Sequence, residues 1–199
     1  MNCKEATESY EDWLAKRTPI VEADLAFKHQ QMSADIFSFM RATFYRWIEL
    51  WAKACPDLAK ATVVLGVGDL HVENFGTWRD LEGRLVWGIN DFDEAFPLPY
   101  TNDLVRLAVS AHLAISSNHL AIRPADACEA ILSGYGEGLK DGGRPLVLAE
   151  RHKWLRSSVM GELRDPYSFW EKLSQLPTIK AAIPAKAKKA LVALSFANT

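Results

Sequence analysis

Cysteine is scarce in this 199-residue chain: Cys3, Cys55 and Cys128 stand far apart and no CxxC pair occurs. An odd, scattered set argues against a disulfide framework and reads as reduced thiols. Long apolar runs are lacking too, and none approaches the roughly 18 residues needed to cross a bilayer. The opening MNCKEATESYEDW is acidic and polar where a secretory signal needs an apolar stretch. Neither sign of charge dominates, since 23 Lys and Arg stand against 25 Asp and Glu for a formal net charge of −2. No basic stripe interleaves with aromatics, so nothing points to nucleic acid. Internal repeats and low-complexity tracts are also missing. What these absences leave is a soluble, cytoplasmic, globular protein with neither a membrane nor a nucleic-acid partner.

Aromatic residues are plentiful, with seven tryptophans and nine phenylalanines, and most are expected in the core. Residues 4–17 read as a polar helix with Tyr10, Trp13 and Leu14 on one face, stopped by Pro19. The helical pattern resumes over residues 24–54. Ser33 is a candidate N-cap there, and Phe37, Met40, Phe44, Trp47, Ile48 and Trp51 recur at intervals of three and four. The texture then changes. The β-branched run 61–67 predicts a buried strand. Phe75 to Trp78 and Leu85 to Ile89 flank a polar turn containing Gly83, which predicts a hairpin. Asn102 is placed to cap a helix over residues 103–117 that turns Leu104, Leu107, Ala108 and Ala111 inward. Pro124 opens another helix, to about residue 139, which Asp141-Gly142-Gly143 breaks. Two or three further helices fill residues 147–194, separated near Asp165-Pro166 and Pro177, with Pro184 opening the last. The basic Lys186, Lys188 and Lys189 read as a solvated face. The expected fold is α+β and mainly helical.

The chemistry concentrates between residues 66 and 94. Gly68-Asp69-Leu70-His71-Val72-Glu73-Asn74 sets a carboxylate and an amide five positions apart in a loop after a strand, and the hairpin returns the chain to Asp91. This geometry can bring Asp69, Asn74 and Asp91 to one face. Phosphoryl transfer needs a carboxylate at the attacking hydroxyl and oxygen ligands on Mg²⁺. Asp69 fits the first role; Asn74 and Asp91 fit the second. Asp93 and Glu94 crowd Asp91, and carboxylates so close repel unless a cation neutralises them. Either a metal or a solvated acidic turn accounts for them. His71 either touches phosphate or metal, or pins the loop through a carboxylate. Asp103 and Arg106 read as structural, through the helix dipole or an ion pair. Arg41 sits on the aromatic helix, where an arginine usually snorkels to water.

GDLHVENFG resembles the catalytic loop of aminoglycoside-phosphotransferase-type kinases, whose Gly-Asp-x-His-x-x-Asn pattern supplies the base and a metal ligand. Ile89-Asn90-Asp91-Phe92 looks like their metal-binding Asp segment, and Asp103-Leu104-Val105-Arg106 like the Asp that buttresses their catalytic loop. Together with Lys28-His29-Gln30-Gln31-Met32 and Phe37-Ser38-Phe39-Met40-Arg41, these segments resemble the bacterial family known as domain of unknown function 2252, over most of the chain from about residue 24. The resemblance implies a kinase-like C-lobe over residues 24–199, with residues 1–23 as a helical extension. It implies ATP and Mg²⁺ as cofactors and Asp69 and His71 as catalytic residues. Asn74 and Asp91 become nucleotide-side and metal ligands with Asp93, supported by Asp103, Arg106 and Arg41; Arg41, Lys28 and His29 are candidates to reach the site.

The departures carry equal weight. Val67 stands where such kinases carry a His-like residue, and no glycine-rich nucleotide loop or strand lysine precedes the catalytic loop. The expectation is half of a phosphotransferase site for an unknown hydroxyl acceptor, in a truncated chain without its nucleotide lobe. The alternative is a non-catalytic interaction module derived from the same fold. A metallophosphatase is disfavoured, because the upstream Asp-x-His and later Gly-Asn-His of such sites are missing.

Overall fold

The computed structural model describes residues 1–117, 119–150, 153–163, 166–176, 185, 186, 188 and 189. It is α+β and mainly helical, and it divides into a unit of residues 1–152 and a second of residues 153–199.

Helix α1 (Cys3–Ala15) starts with a capping box: the Glu5 amide donates to Asn2 Oδ1 at 2.9 Å, and the Asn2 amide donates to Glu5 Oε2 at 2.9 Å. The long helix expected over 24–54 is three helices, α2 (Glu22–Ala34), α3 (Ile36–Ala42) and α4 (Phe44–Ala54). Asp35 breaks the first junction. Its extended backbone lets its carboxylate accept from the Ser38 amide at 2.8 Å and from the Ser38 hydroxyl at 2.6 Å, capping α3. Ser33, the expected cap, is inside α2 with its hydroxyl donating to the Gln30 carbonyl. Thr43 makes the second break, at φ −124° and ψ 38°. The aromatic stripe survives both breaks: Met40, Phe44 and Trp51 are buried, and Phe37, Trp47 and Ile48 half-buried.

Strand β1 (Val63–Gly66) pairs antiparallel with β4 (Phe96–Pro99), and it is not the buried strand expected. Val63, Val64 and Leu65 are exposed, and only Gly66 is buried, because a two-stranded ribbon has nothing to cover its outer side. The hairpin forms as expected, from β2 (Phe75–Arg79) and β3 (Leu85–Ile89) in the register Phe75↔Ile89 to Arg79↔Leu85. Gly83 turns it at φ 75°, a conformation glycine adopts without strain. A short β5 (Leu146–Val147), which the sequence does not announce, adds to β3. Its Val147 and the following Leu148 are buried.

Helix α5 (Tyr100–Ser116) begins earlier than expected, and Asn102 does not cap it. Asn102 lies wholly buried in the first turn, accepting from the Trp47 indole at 3.2 Å. The expected apolar positions of α5 are half-buried or buried, yet its most deeply buried residues are polar: Asn102, Arg106 and Ser110. Helix α6 (Pro124–Lys140) packs on α5. In the second unit, α7 (Lys153–Leu163) and α8 (Pro166–Gln175) are described. The expected opening of a last helix at Pro184 lies outside the described residues. No described helix is long and apolar enough to cross a membrane.

Candidate functional site

The loop from Val67 to Asn74 follows β1 directly and ends in a single 3-10 turn, Val72–Asn74. Helix α5 holds it from one face. Asp103, Arg106 and Ser110 are spaced by three and four, so they share that face. The Asp103 carboxylate accepts from the amides of Val67 at 2.7 Å and Gly68 at 3.0 Å. Burial pushes its carboxyl above the ordinary value, against the pull of those two amides and of Arg106. Ser110 Oγ accepts from the Val72 amide at 3.1 Å and donates to the Leu107 carbonyl at 2.7 Å. Ser110 escaped the sequence reading, although its offsets from Asp103 and Arg106 mark the same helix face.

Arg106 lies between them, wholly buried. Its Nε donates to Asp69 Oδ1 at 2.8 Å, and its Nη2 donates to the same oxygen and to the Met40 carbonyl. The guanidinium carbon stands 5.0 Å from both the Phe44 and Trp47 ring centroids. Burial lowers the guanidinium's pKa; the Asp69 charge opposes that. Asp69 is thus fixed through Oδ1. Gly68, at φ 88°, allows the turn, and a Cβ there would fall 2.2 Å from the Glu94 carbonyl oxygen. No side chain fits that approach.

Asn74 joins the loop to the acidic segment. Its Nδ2 donates to the Asp69 carbonyl at 3.1 Å and to the Asp91 carbonyl at 3.4 Å. Its backbone carbonyl accepts from the Asn90 amide at 3.0 Å. The residue is buried, and its Oδ1 has no hydrogen-bond partner. A buried acceptor left unpaired is costly, and a ligand cation is the kind of partner it lacks. Asp91 is exposed, its Oδ1 accepting from the Asp93 amide at 3.3 Å. The Nδ2 hydrogen bond brings the Asn74 side chain beside the Asp91 backbone, and oxygens of these two types are ones that Mg²⁺ accepts. Asp93 is exposed beside them. No group of three or more His, Cys, Asp or Glu side chains able to hold a metal occurs among the described residues. The Glu94 carboxyl is pushed up by desolvation and by the charges of Asp69 and Asp93, even though much of the residue remains open to water.

His71 has a buried ring packed edge-on to Phe37 at 5.9 Å, and its Nδ1 has no partner. Its Nε2 stands 3.9 Å from Asp69 Oδ2, beyond hydrogen-bond distance. Desolvation, then the Arg41 charge, lowers its pKa below the ordinary value, so the ring is neutral near pH 7. Arg41 reaches the loop: its Nη1 meets Glu73 Oε2 at 3.1 Å. Lys28 rests with Nζ 5.2 Å from the Tyr10 centroid and 5.8 Å from that of Tyr45. His29 turns away to Glu11 of α1, at 2.6 Å.

The loop has a polar front and an apolar back. Val67, Leu70, Phe75 and Ile89 line, with Leu104 and Leu107, a cavity of about 500 Å³. Against known proteins, the model of a family described as an uncharacterized protein conserved in bacteria (DUF2252) matches residues 17–163. No curated protein and no solved structure matches the chain.

Proposed function

The chain belongs to that bacterial family, and from this premise we propose that its loop and Asp91 form a kinase-like phosphotransferase site that takes ATP and Mg²⁺ and acts on a hydroxyl acceptor. The observation that carries the reading is the Asn74 amide. Two backbone carbonyls, those of Asp69 and Asp91, hold its Nδ2 and leave a buried Oδ1 unpaired. An amide used only for structure would normally satisfy both ends.

In this reading Asn74 Oδ1 and Asp91 hold the metal, whose charge offsets that of the phosphates during transfer. Asp69 receives the acceptor. Because Arg106 engages Oδ1, Oδ2 is left to accept the hydrogen bond of an incoming hydroxyl and take its proton. Asp69, held in place by Arg106, contributes by orienting the hydroxyl and receiving its proton. The kinase C-lobe likeness is part of the same proposal, since the loop, the metal-side aspartate and the helix-borne buttress follow one another in that order.

Calorimetric titration of the protein with ATP in the presence of Mg²⁺ tests it. Binding is expected to require Mg²⁺ and to vanish in Asp91→Ala. A folded protein that binds neither metal nor nucleotide would sink the reading. The second reading, an interaction module without catalysis, is favoured by the exposed apolar side chains of Val63, Val64 and Leu65 on β1. It predicts that same null result.

A further inference from the structure

The cavity behind the loop has the size and the walls of a small-molecule site: about 500 Å³, largely apolar, with a few polar groups among its lining. Helix α6 leaves the room. Ala130 and Gly134, one turn apart, are the small residues it contributes, and a Cβ at Gly134 would meet nothing within 4 Å. Tyr100 of α5 and Tyr135 of α6 also line the space, their rings stacked at 5.7 Å between centroids and 5° between planes. The charge of the lining has one sign. Asp103 is its one charged residue, and no Lys, Arg or His belongs to it among the described residues. Each Asp103 oxygen accepts one loop amide, from Val67 or Gly68, and keeps a further lone pair. Burial disfavours the charged form of this carboxyl, and a cation beside it would offset that.

We propose that this cavity binds a small organic ammonium, an amine carried on an apolar ring, with the ring against the back of the loop and the ammonium at Asp103. Aromatic faces and a carboxylate are what such a cation seeks, the first through the ring quadrupole and the second through a charge-assisted hydrogen bond. An anion of the same shape would meet the Asp103 charge and find no cation to pair with. The inference is independent of the phosphotransferase reading, since neither Asn74 nor Asp91 lines the cavity. The occupant would nonetheless touch the loop, because Val67 and Leu70 belong to the lining and the Val67 amide is bound to Asp103.

Three probes with one ring and different charge test it: naphthylmethylamine as the cation, naphthylmethanol as the neutral form and naphthylacetate as the anion. Each is titrated by calorimetry into the wild-type protein, Gly134→Leu and Asp103→Asn, with every melting temperature recorded. The cation should bind about tenfold more tightly than the neutral probe, the size of one charge-assisted hydrogen bond, and the anion should bind weakest. Gly134→Leu puts a side chain into the space and replaces a glycine inside a helix. It should abolish binding of every probe without lowering the melting temperature. Asp103→Asn should bring the cation and the neutral probe to equal affinity. If that variant does not fold, the ranking of the probes on the wild-type protein still decides. Undiminished binding to Gly134→Leu places the probes elsewhere and overturns the inference. Equal affinity for all three probes on the wild-type protein, or no binding of the amine to it, overturns it as well.

Discussion

A proton on His71 would add a positive charge in a buried position that already feels Arg41 and Arg106, against the opposing charges of Asp69 and Glu73. Burial is the largest reason that its pKa lies below the ordinary 6.5. The sign of the consequence follows. As pH falls through about 6.5, the unfolded chain takes up this proton before the folded one does. The stability His71 contributes is therefore whole above that value and is lost as pH falls toward the lower folded pKa. Urea midpoints should drop as pH falls below about 6.5, and His71→Phe should flatten that part of the profile. An equal slope in the variant would show that other groups set it. At 3.9 Å from Asp69 Oδ2, the buried imidazole makes no hydrogen bond to that carboxylate.

At the scale of elements, α5 makes the site rigid. Three of its side chains reach four groups of the loop: the amides of Val67, Gly68 and Val72 and the Asp69 carboxylate. Ser110→Ala removes one of these, leaving the Val72 amide without its acceptor. The expected cost is about 1 kcal/mol, together with faster hydrogen exchange at Val72 and unchanged helix content. No change in either stability or exchange would mean that the loop holds itself. This face also marks the limit of what the sequence discloses. The hairpin and both long helices, α5 and α6, are legible because Gly83, Pro124 and the apolar periodicity act locally. The site loop stands out because carboxylate, amide and carboxylate recur at a telling spacing. The polar face of α5 is not legible, since burying Asn102, Arg106 and Ser110 makes sense only once the loop lies against them. The break at Asp35 was hidden because a helical pattern of apolar residues continues through it. The exposure of β1 was hidden because a run of Val and Leu reads as buried whatever covers it, and β5, at two residues, is too short to carry a pattern.

At the scale of the whole molecule, residues 1–152 form a unit that contains the loop, its supporting helix and the sheet to which β5 is added. A protein ending at His152 should unfold cooperatively and keep the near-ultraviolet signature of its buried Trp51. One ending at Lys140 should not, because it loses Val147 and the fully buried Leu148 and uncovers Val86 of β3. Thermal melts of the two proteins distinguish these outcomes, and loss of cooperativity in the longer one would show that the unit needs residues 153–199. The hold of α5 on the loop also has a consequence during synthesis. The partners of Val67, Asp69 and Val72 lie 36 to 38 residues further along the chain. At the usual pace of a ribosome, that gap corresponds to roughly 2–7 s in which the loop has left the tunnel but α5 has not. For that interval the nascent chain displays the acidic loop without its scaffold, and the site takes shape only when Ser110 emerges.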